Sequence, residues 1–549
     1  MPSAFARSVL LMVLLASSAG ALLAPLVDRH YLHVFEPDAQ ATVDMTLAFV
    51  KGSFIAGQPL PYEYPPYFDA QFYLYALATL LVKACIAVLP VTGASLPTEA
   101  SIVVFAIRFT NLACTSASTV LAFLLFYRLS SSLLLSTALA MFVPLSPHML
   151  GIDYLRIDHV VLLAFIATLT LSVELLHKKV TVIRWCWHIA YAIVFTTLVL
   201  SKMNSVLLAY LPIWVYFSRV KCLGLRASGV PWFMSGLVAA SALFMARFLV
   251  HEIAQPGFTL EVSLKKLAHL REWSAVLPKD PLLYYNYDLF FPYGTVFLAL
   301  ALFSALVCTY AIAKRNLGQH HLAPLVTLVV LSLFGILSFK YSRGLYLLVP
   351  LYLCTIAIAF GQLTKNTRLA AATTAAGLLL TAIALVWPIR DYRSAVQATA
   401  ARAESLSVTR LQPLTWLQTH VSANARVTTL RHSDWANPPL SETSFDVGYR
   451  FLDFPYLNPN ALAQYLPPDM RDVIQQTDVI LLNSFHSDFY LRMLADKAPT
   501  ETHRAWSNFF DELRNRFEVK RFEAATDSYG VRWVEIVIVN PAVLIKEPL

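Results

Sequence analysis

Charge and glycine are both scarce in this chain. Asp, Glu, Lys and Arg make up 14% of 549 residues against 57% hydrophobic, with a mean hydropathy of +0.58. So few charges cannot clothe a water-soluble protein of this length, and the sequence reads as a polytopic α-helical membrane protein. Only 17 glycines are present, and no GxGxxG, P-loop, HExxH, GxSxG or Asp-x-Asp pair occurs. Loops that cradle a nucleotide diphosphate, a metalloprotease helix and a serine-hydrolase elbow therefore have no sequence support. The six cysteines, Cys85, Cys114, Cys186, Cys222, Cys308 and Cys354, are irregularly spaced with no CxxC pair. Neither a disulfide framework nor a zinc site is indicated. Charges near the middle of apolar runs are also scarce, since Arg108, Glu174 and Arg247 all lie near run ends. Coupled transporters usually carry such charges at the midplane.

What the chain does have is long apolar runs. A spanning helix needs roughly 20 mostly apolar residues. Candidates are Ser8–Val27, Phe109–Tyr127, Leu133–Leu150, Val160–Leu176, Trp185–Phe217 broken at Lys202, Pro231–Val250, Gly294–Ala313, Leu322–Phe339, Gly344–Gly361 and Leu369–Pro388. With the broken run counted as two, about eleven spans result. Basic residues then fall on one side: Arg7, Arg128, the group His177, Lys178, Lys179 and Arg184, the group Arg219, Lys221 and Arg226, then Lys314, Arg315, Lys365 and Arg368. The positive-inside bias makes that side cytoplasmic. The formal charge of +8 is thus a matter of topology, and no nucleic-acid partner is implied. One further run, Ala70–Leu89, would invert every later loop if it crossed. Lys83 also interrupts it, so it is expected to lie in the outer interface. The first run is long for a cleaved signal and is expected to stay as a span.

After Pro388 the composition turns mixed and charged. The expected division is a transmembrane domain over 1–390 and a small external α/β domain over 391–549. "RVTTL", "DVILLNS", "RFEVKRF" and "VRWVEIVIVN" read as strands, and "LQPLTWLQTH" and Phe489–Arg514 as helices.

This topology collects polar residues from distant loops onto the outer face. "HVFEPDAQATVDM" supplies Glu36, Asp38 and Asp44, and "PLPYEYPPYFDAQFYLYAL" supplies Tyr64. "YLRIDHV" brings Arg156, Asp158 and His159, "SKMNS" brings Lys202 and Asn204, and "LLYYNYDLF" brings Tyr284 and Tyr285. Finally "SFKYSRGLYLLVPLYL" brings Lys340 and Arg343, three apart and so on one helix face. Basic side chains at outer span ends run against the inside bias and call for an anionic partner, such as a lipid phosphate. The plainer alternative is snorkelling to headgroups. A carboxylate beside that phosphate can serve as general base; its plainer alternative is helix capping.

In this order of features the chain resembles the GT-C glycosyltransferases, in the branch of protein mannosyltransferases and aminoarabinose transferases. The family pattern places an Asp-Glu pair after a proline in the first external loop, then a proline turn into an interfacial helix. Here these read "PDAQ" and "YEYPPYFDAQFYLYAL". The resemblance implies that Asp38 is the catalytic Asp, while the Glu position holds Ala39. It also implies that Asp158 is the second-loop acid, that Lys202 matches the mid-chain Lys, and that Lys340 and Arg343 match the basic residues before a "YLLPL"-like span.

The implied activity is inverting transfer of a sugar from a polyprenyl-phosphate donor to a lipid, protein or glycan acceptor. The expected setting is a bacterial inner membrane, with the site on the periplasmic side. No cofactor follows from the pattern, and a divalent metal is left open. Two alternatives stay on the page: a flippase or transporter of a lipid-linked sugar, and a catalytically silent relative that binds glycolipid.

Overall fold

The computed structural model describes residues 4–26, 37–51, 70–88, 99–150, 155–201, 207–246, 252–253, 291–338, 346–364, 370–429, 438, 440, 443–447, 466–484, 487–488, 491, 500–528 and 531–545. The chain separates into two compact units, Met1–Val27 with Thr42–Val396, and Asp28–Ala41 with Gln397–Leu549.

The first unit is helical. Its elements begin with α1 Ala4–Leu23, α2 Pro37–Val50, α3 Ala70–Val88, α4 Glu99–Ser130, α5 Leu133–Ala140 and α6 Pro147–Leu150. They continue with α7 Asp158–His177, α8 Trp185–Ser201, α9 Tyr210–Ala227 and α10 Val230–Phe244. After a gap come α11 Gly294–Ala313, α12 Gln319–Ser338, α13 Leu348–Leu363 and α14 Ala370–Leu406. By length and hydropathy, five described helices and one pair bent by 97°, the α9–α10 pair, could cross a membrane.

Two helices form the centre. On α13 every residue from Leu353 to Phe360 is buried, and α7 is buried on most of its circumference. A helix apolar all round belongs inside a bundle. At the periphery, α11 leaves Leu302, Phe303, Leu306 and Tyr310 exposed. Such a face suits lipid and would be an aggregation hazard in water.

The basic turns gather at one end of this unit. Arg128 at the end of α4 grips Glu174 of α7 through two bonds of 2.8 Å, and Lys178 reaches the same carboxylate at 2.6 Å. His177 meets His320 edge-on, with ring centres 4.8 Å apart, which brings the α11–α12 turn alongside. Gly361 of α13 lies so close that a Cβ there would stand 2.7 Å from the Leu129 carbonyl oxygen. Arg219 joins this end from the inside. Although a charge, it is 0% exposed, and it donates to the carbonyls of Ser228 (2.8 Å), Lys178 (2.9 Å), Thr181 (3.1 Å) and Leu175 (3.5 Å). These include carbonyls that the last turn of α7 leaves without helical partners, where a cation is also favoured by the helix dipole. Lys365 and Arg368 lie outside the described residues.

At the opposite end, Tyr392 donates to the Leu22 carbonyl at 2.5 Å, and Tyr293 meets Ser146 at 2.6 Å. Between the two ends, about 17 residues of α4 (Asn111 to Arg128) cover about 26 Å.

Three expectations change in detail. Leu133–Leu150 is not one helix but α5 and α6 around a turn at 141–146, where Pro144 cannot donate to a helical ladder. The last apolar helix does not stop at Pro388 but runs on to Leu406. For Ala70–Leu89, α3 is long and apolar enough to span by length and composition despite Lys83, which pairs with Glu99. Its packing points another way. Tyr75 sits at Asn111 and Lys83 at Glu99, so α3 runs antiparallel to the first third of α4 and away from the basic end.

The second unit is a four-stranded sheet in the order β1-β2-β4-β3. The strands are β1 Val427–Thr429, β2 Val479–Asn483, β3 Glu518–Ser528 and β4 Val531–Ile538. β1 and β2 are parallel, with Val427 opposite Val479; β4 is antiparallel to both neighbours. Helices α15 Gln412–His420, α16 Met470–Gln476 and α17 Thr500–Arg516 accompany it. β2 is buried on both faces. Ile480 and Leu482 pack with Trp506, Phe509 and Phe510 of α17, whereas Val479 and Leu481 pack with Leu417 of α15. Residues 489–490 and 492–499 of the expected helix lie outside the described residues. Helix α16 was not expected, although Asp469 caps it by accepting from the Arg471 N–H at 2.8 Å.

Arg219→Ala strands buried carbonyls that cost about 1–3 kcal/mol each. The full-length protein in detergent should lose about 3 kcal/mol or more of stability, with partial recovery in Arg219→Lys; an unchanged melting temperature would contradict the clamp. In the second unit, Asp478 accepts from Arg426 Nε (3.1 Å), Nη2 (2.9 Å) and backbone N–H (3.0 Å), and from Asn540 (3.0 Å). These donors, Arg426 foremost, hold the Asp478 carboxyl down at about 2. Because that lies below the unfolded value, the stabilisation is complete above about pH 4 and is lost as pH falls toward about 2. Arg426 is 43% exposed, so solvent screening reduces the contribution to about 1–2 kcal/mol. The melting difference between wild type and Asp478→Asn should be largest near neutral pH and vanish in strong acid.

Candidate active site

The residues expected on the outer face divide by what the structure describes. Glu36, Tyr64, Lys202, Asn204, Tyr284, Tyr285, Lys340 and Arg343 lie outside the described residues. Asp38 is the second residue of α2, and its side chain is likewise not described. Arg156, Asp158 and His159 are described, and they meet in one buried polar cluster within the first unit.

Asp158 is the first residue of α7 and is 6% exposed. It does not cap that helix. The cap position is Ile157, which has no side-chain bond to offer. The carboxylate's partners include Arg156 Nε at 3.4 Å and the side chain of Tyr346, which hydrogen-bonds it. Tyr346 lies immediately ahead of α13, so the central helix delivers a phenol to the start of α7. A buried carboxylate needs such company, because an unpaired one would cost several kcal/mol.

Next to it, His159 Nδ1 lies 2.9 Å from Thr115 Oγ1 of α4. Thr115 Oγ1 also lies 3.1 Å from the Asn111 carbonyl, so this hydroxyl joins the histidine to the backbone of α4.

One turn earlier on α4, Asn111 Nδ2 donates to the Arg156 carbonyl at 2.9 Å, and Asn111 Oδ1 accepts from the Tyr75 hydroxyl at 2.8 Å. The orientation of this amide is fixed by chemistry, since a carbonyl can only accept and so requires the NH2 group. Asn111, Tyr75 and His159 are each 0% exposed.

Four of these residues, Asn111, Thr115, Tyr75 and Tyr346, have no role in the sequence-based site. Asn111 and Thr115 did carry a signal. With Arg108 they form a polar stripe at helical spacing on an otherwise apolar run, the pattern of a face turned to other polar groups. Tyr75 stands in an aromatic-rich stretch that reads equally well as membrane anchoring. Tyr346 stands inside the quoted "GLYLLVPL", and nothing in the spacing sets it apart from its neighbours. Among the described residues, no group of three or more His, Cys, Asp or Glu is arranged to hold a metal ion.

No family model matches the chain, and no curated protein does. Among solved structures, the chain is similar to the oligosaccharyltransferase of Archaeoglobus fulgidus in complex with zinc and sulfate, with 12% identity and a TM-score of 0.46 over 94% of this chain and 73% of that one. It is also similar to archaeal oligosaccharyltransferase AglB from Archaeoglobus fulgidus in complex with an inhibitory peptide and a dolichol-phosphate, with 12% identity and a TM-score of 0.46 over 89% and 71%.

Asp158→Ala removes the carboxylate at 3.4 Å from the largely enclosed Arg156 and should cost about 3 kcal/mol. Asp158→Asn, which still accepts from Arg156 and Tyr346, should cost less. Thermal unfolding of both variants in detergent checks the order, and equal losses would argue against the ion pair as the source.

Proposed function

We propose that this protein is an integral membrane glycosyltransferase. It transfers a sugar from a polyprenyl-phosphate donor to an acceptor hydroxyl on the outer face, with inversion at the anomeric carbon. The observation that supports this reading best is the polarity of the helical unit. Basic turns cluster at one end, and the buried Asp158, Arg156 and Tyr346 group sits at the other, at the mouth of the two best-buried helices. With about eleven spans and α3 lying in the outer interface, the basic end is cytoplasmic. The Asp158 end then faces the periplasm.

In this reading Asp38 accepts the proton of the acceptor hydroxyl as its oxygen attacks the anomeric carbon. The new carbon–oxygen bond forms as the bond to phosphate breaks. The electron pair leaves with the polyprenyl phosphate, whose added charge is neutralised by Lys202, Lys340 and Arg343. Stabilising that charge in a site shielded from water supplies the larger share of the rate. Asp158, already engaged by Arg156 and Tyr346, aims Arg156 rather than taking a proton. Tyr64, Asn204, His159, Glu36, Tyr284 and Tyr285 line the groove around the sugar and the acceptor.

The test is mass spectrometry of glycolipids, glycoproteins and surface polysaccharide from cells lacking the gene, complemented with wild type or Asp38→Asn. A glycoform should disappear with the gene and return only with wild type, turnover falling by about 100- to 10,000-fold in the variant. The purified variant should still bind polyprenyl phosphate, whereas Lys340→Ala and Arg343→Ala should bind it more weakly. A glycoform restored equally well by Asp38→Asn would sink the general-base assignment.

A further inference from the structure

The Arg156–Asp158 pair is held from outside by a relay that no part of the proposed chemistry uses. Tyr75, on α3, donates to Asn111 Oδ1 at 2.8 Å, and Asn111 Nδ2, on α4, donates to the Arg156 carbonyl at 2.9 Å. The Tyr75 oxygen also stands 3.4 Å from that carbonyl. We propose that Tyr75 and Asn111 are positioning residues. Together they fix the peptide that follows Arg156, and through it the approach of the Arg156 guanidinium to Asp158, so that the seating of α3 governs the geometry of the site.

Several observations converge on this. Residues 155–157 form the turn that leads into α7, and one residue, Ile157, stands between Arg156 and Asp158. An amide that donates to the Arg156 carbonyl therefore acts on the pair at short range. Burying Tyr75 and Asn111 completely carries a desolvation cost that hydrophobic packing alone would avoid. The Arg156 carbonyl can only accept, which fixes the Asn111 amide with its NH2 toward Arg156 and its oxygen toward Tyr75.

Finally, α3 is fastened elsewhere too. Lys83 pairs with Glu99 at the start of α4, and Lys51 at the end of α2 reaches the same carboxylate at 3.7 Å. Beyond these ties α3 exposes Leu77, Leu80 and Leu81, so its seat depends on what covers that apolar face. The relay carries that seat to Arg156.

A test that needs no substrate is a double-mutant cycle on the full-length protein in detergent, with Tyr75→Phe, Asp158→Asn and the pair. If the hydroxyl positions the Arg156–Asp158 pair, the double variant should melt close to the worse single variant. If Tyr75 only packs α3 on α4, the two shifts should add, as they do for independent sites, and the proposal fails. Should the Tyr75→Phe protein not fold, Asn111→Ser in the same cycle decides the question. The role in turnover rests on the transferase reading. There, Tyr75→Phe should lower kcat by about 10- to 100-fold with donor KM unchanged. Non-additive melting together with no glycoform lost in cells lacking the gene would retain the relay and reject the transferase; additive melting rejects the relay whatever the activity.

Discussion

The helical unit depends on α4 and α7 being fastened to each other at both ends. At one end Arg128 holds Glu174 through two parallel bonds of 2.8 Å. At the other, Asn111 holds the Arg156 carbonyl and Thr115 meets His159. Between these points the contact is apolar, with Phe123, Phe126, Val161, Phe165 and Leu169 in one core. Apolar packing between two helices tolerates sliding by a turn, because lipid-like side chains fit one another in several registers. Directional bonds at both ends do not. They set the register, and with it the height at which Asp158 stands relative to the basic turns.

The two ends solve the same problem with different chemistry. Inside a bilayer each backbone polar group must be satisfied within the protein. At the basic end the helix-terminal carbonyls of α7 are met by Arg219, a charge recruited to the interior. At the Asp158 end the turn that opens α7 is met by neutral donors, Asn111 and Tyr75, and the charges pair with each other. The positive-inside reading counts Arg219 only as a loop charge, whereas the structure gives it interior partners. Arg219 ties the α7–α8 turn to the α9–α10 turn, where Gly229 takes a left-handed backbone and a Cβ would collide with the His188 ring. The 97° bend between α9 and α10 is thus shaped by one cation and by two glycines of positive φ, Gly224 and Gly229.

Much of this architecture is legible in the sequence, and its limits follow from what a linear pattern can carry. Hydropathy and the basic loops locate helices near their observed positions, because both are summed over many residues. The strands of the second unit are legible for a similar reason: "DVILLNS" is apolar without alternation, as a strand covered on both faces must be. Pro144 and Pro388 show where summation fails. One proline breaks a helix and the other does not, since an apolar average hides which backbone bonds are indispensable. Of the site, Asp158, Arg156 and His159 were visible as charges out of place at a span end. Tyr346 and Tyr75 were not, because a tyrosine near an interface has an adequate explanation already. Only three-dimensional proximity to a carboxylate or an amide turns it into part of a network.

Asp158 stands at the head of α7 with Arg156 Nε at 3.4 Å and the Tyr346 phenol on it. A carboxylate so engaged is suited to holding a cation in place, because each bond it accepts lowers its readiness to take a proton from elsewhere. The same bonds cost two charges their water, so the pair persists only where geometry and extra donors offset that loss. Asn111 and Tyr75, neutral and fully buried beside the Arg156 carbonyl, belong to that compensation.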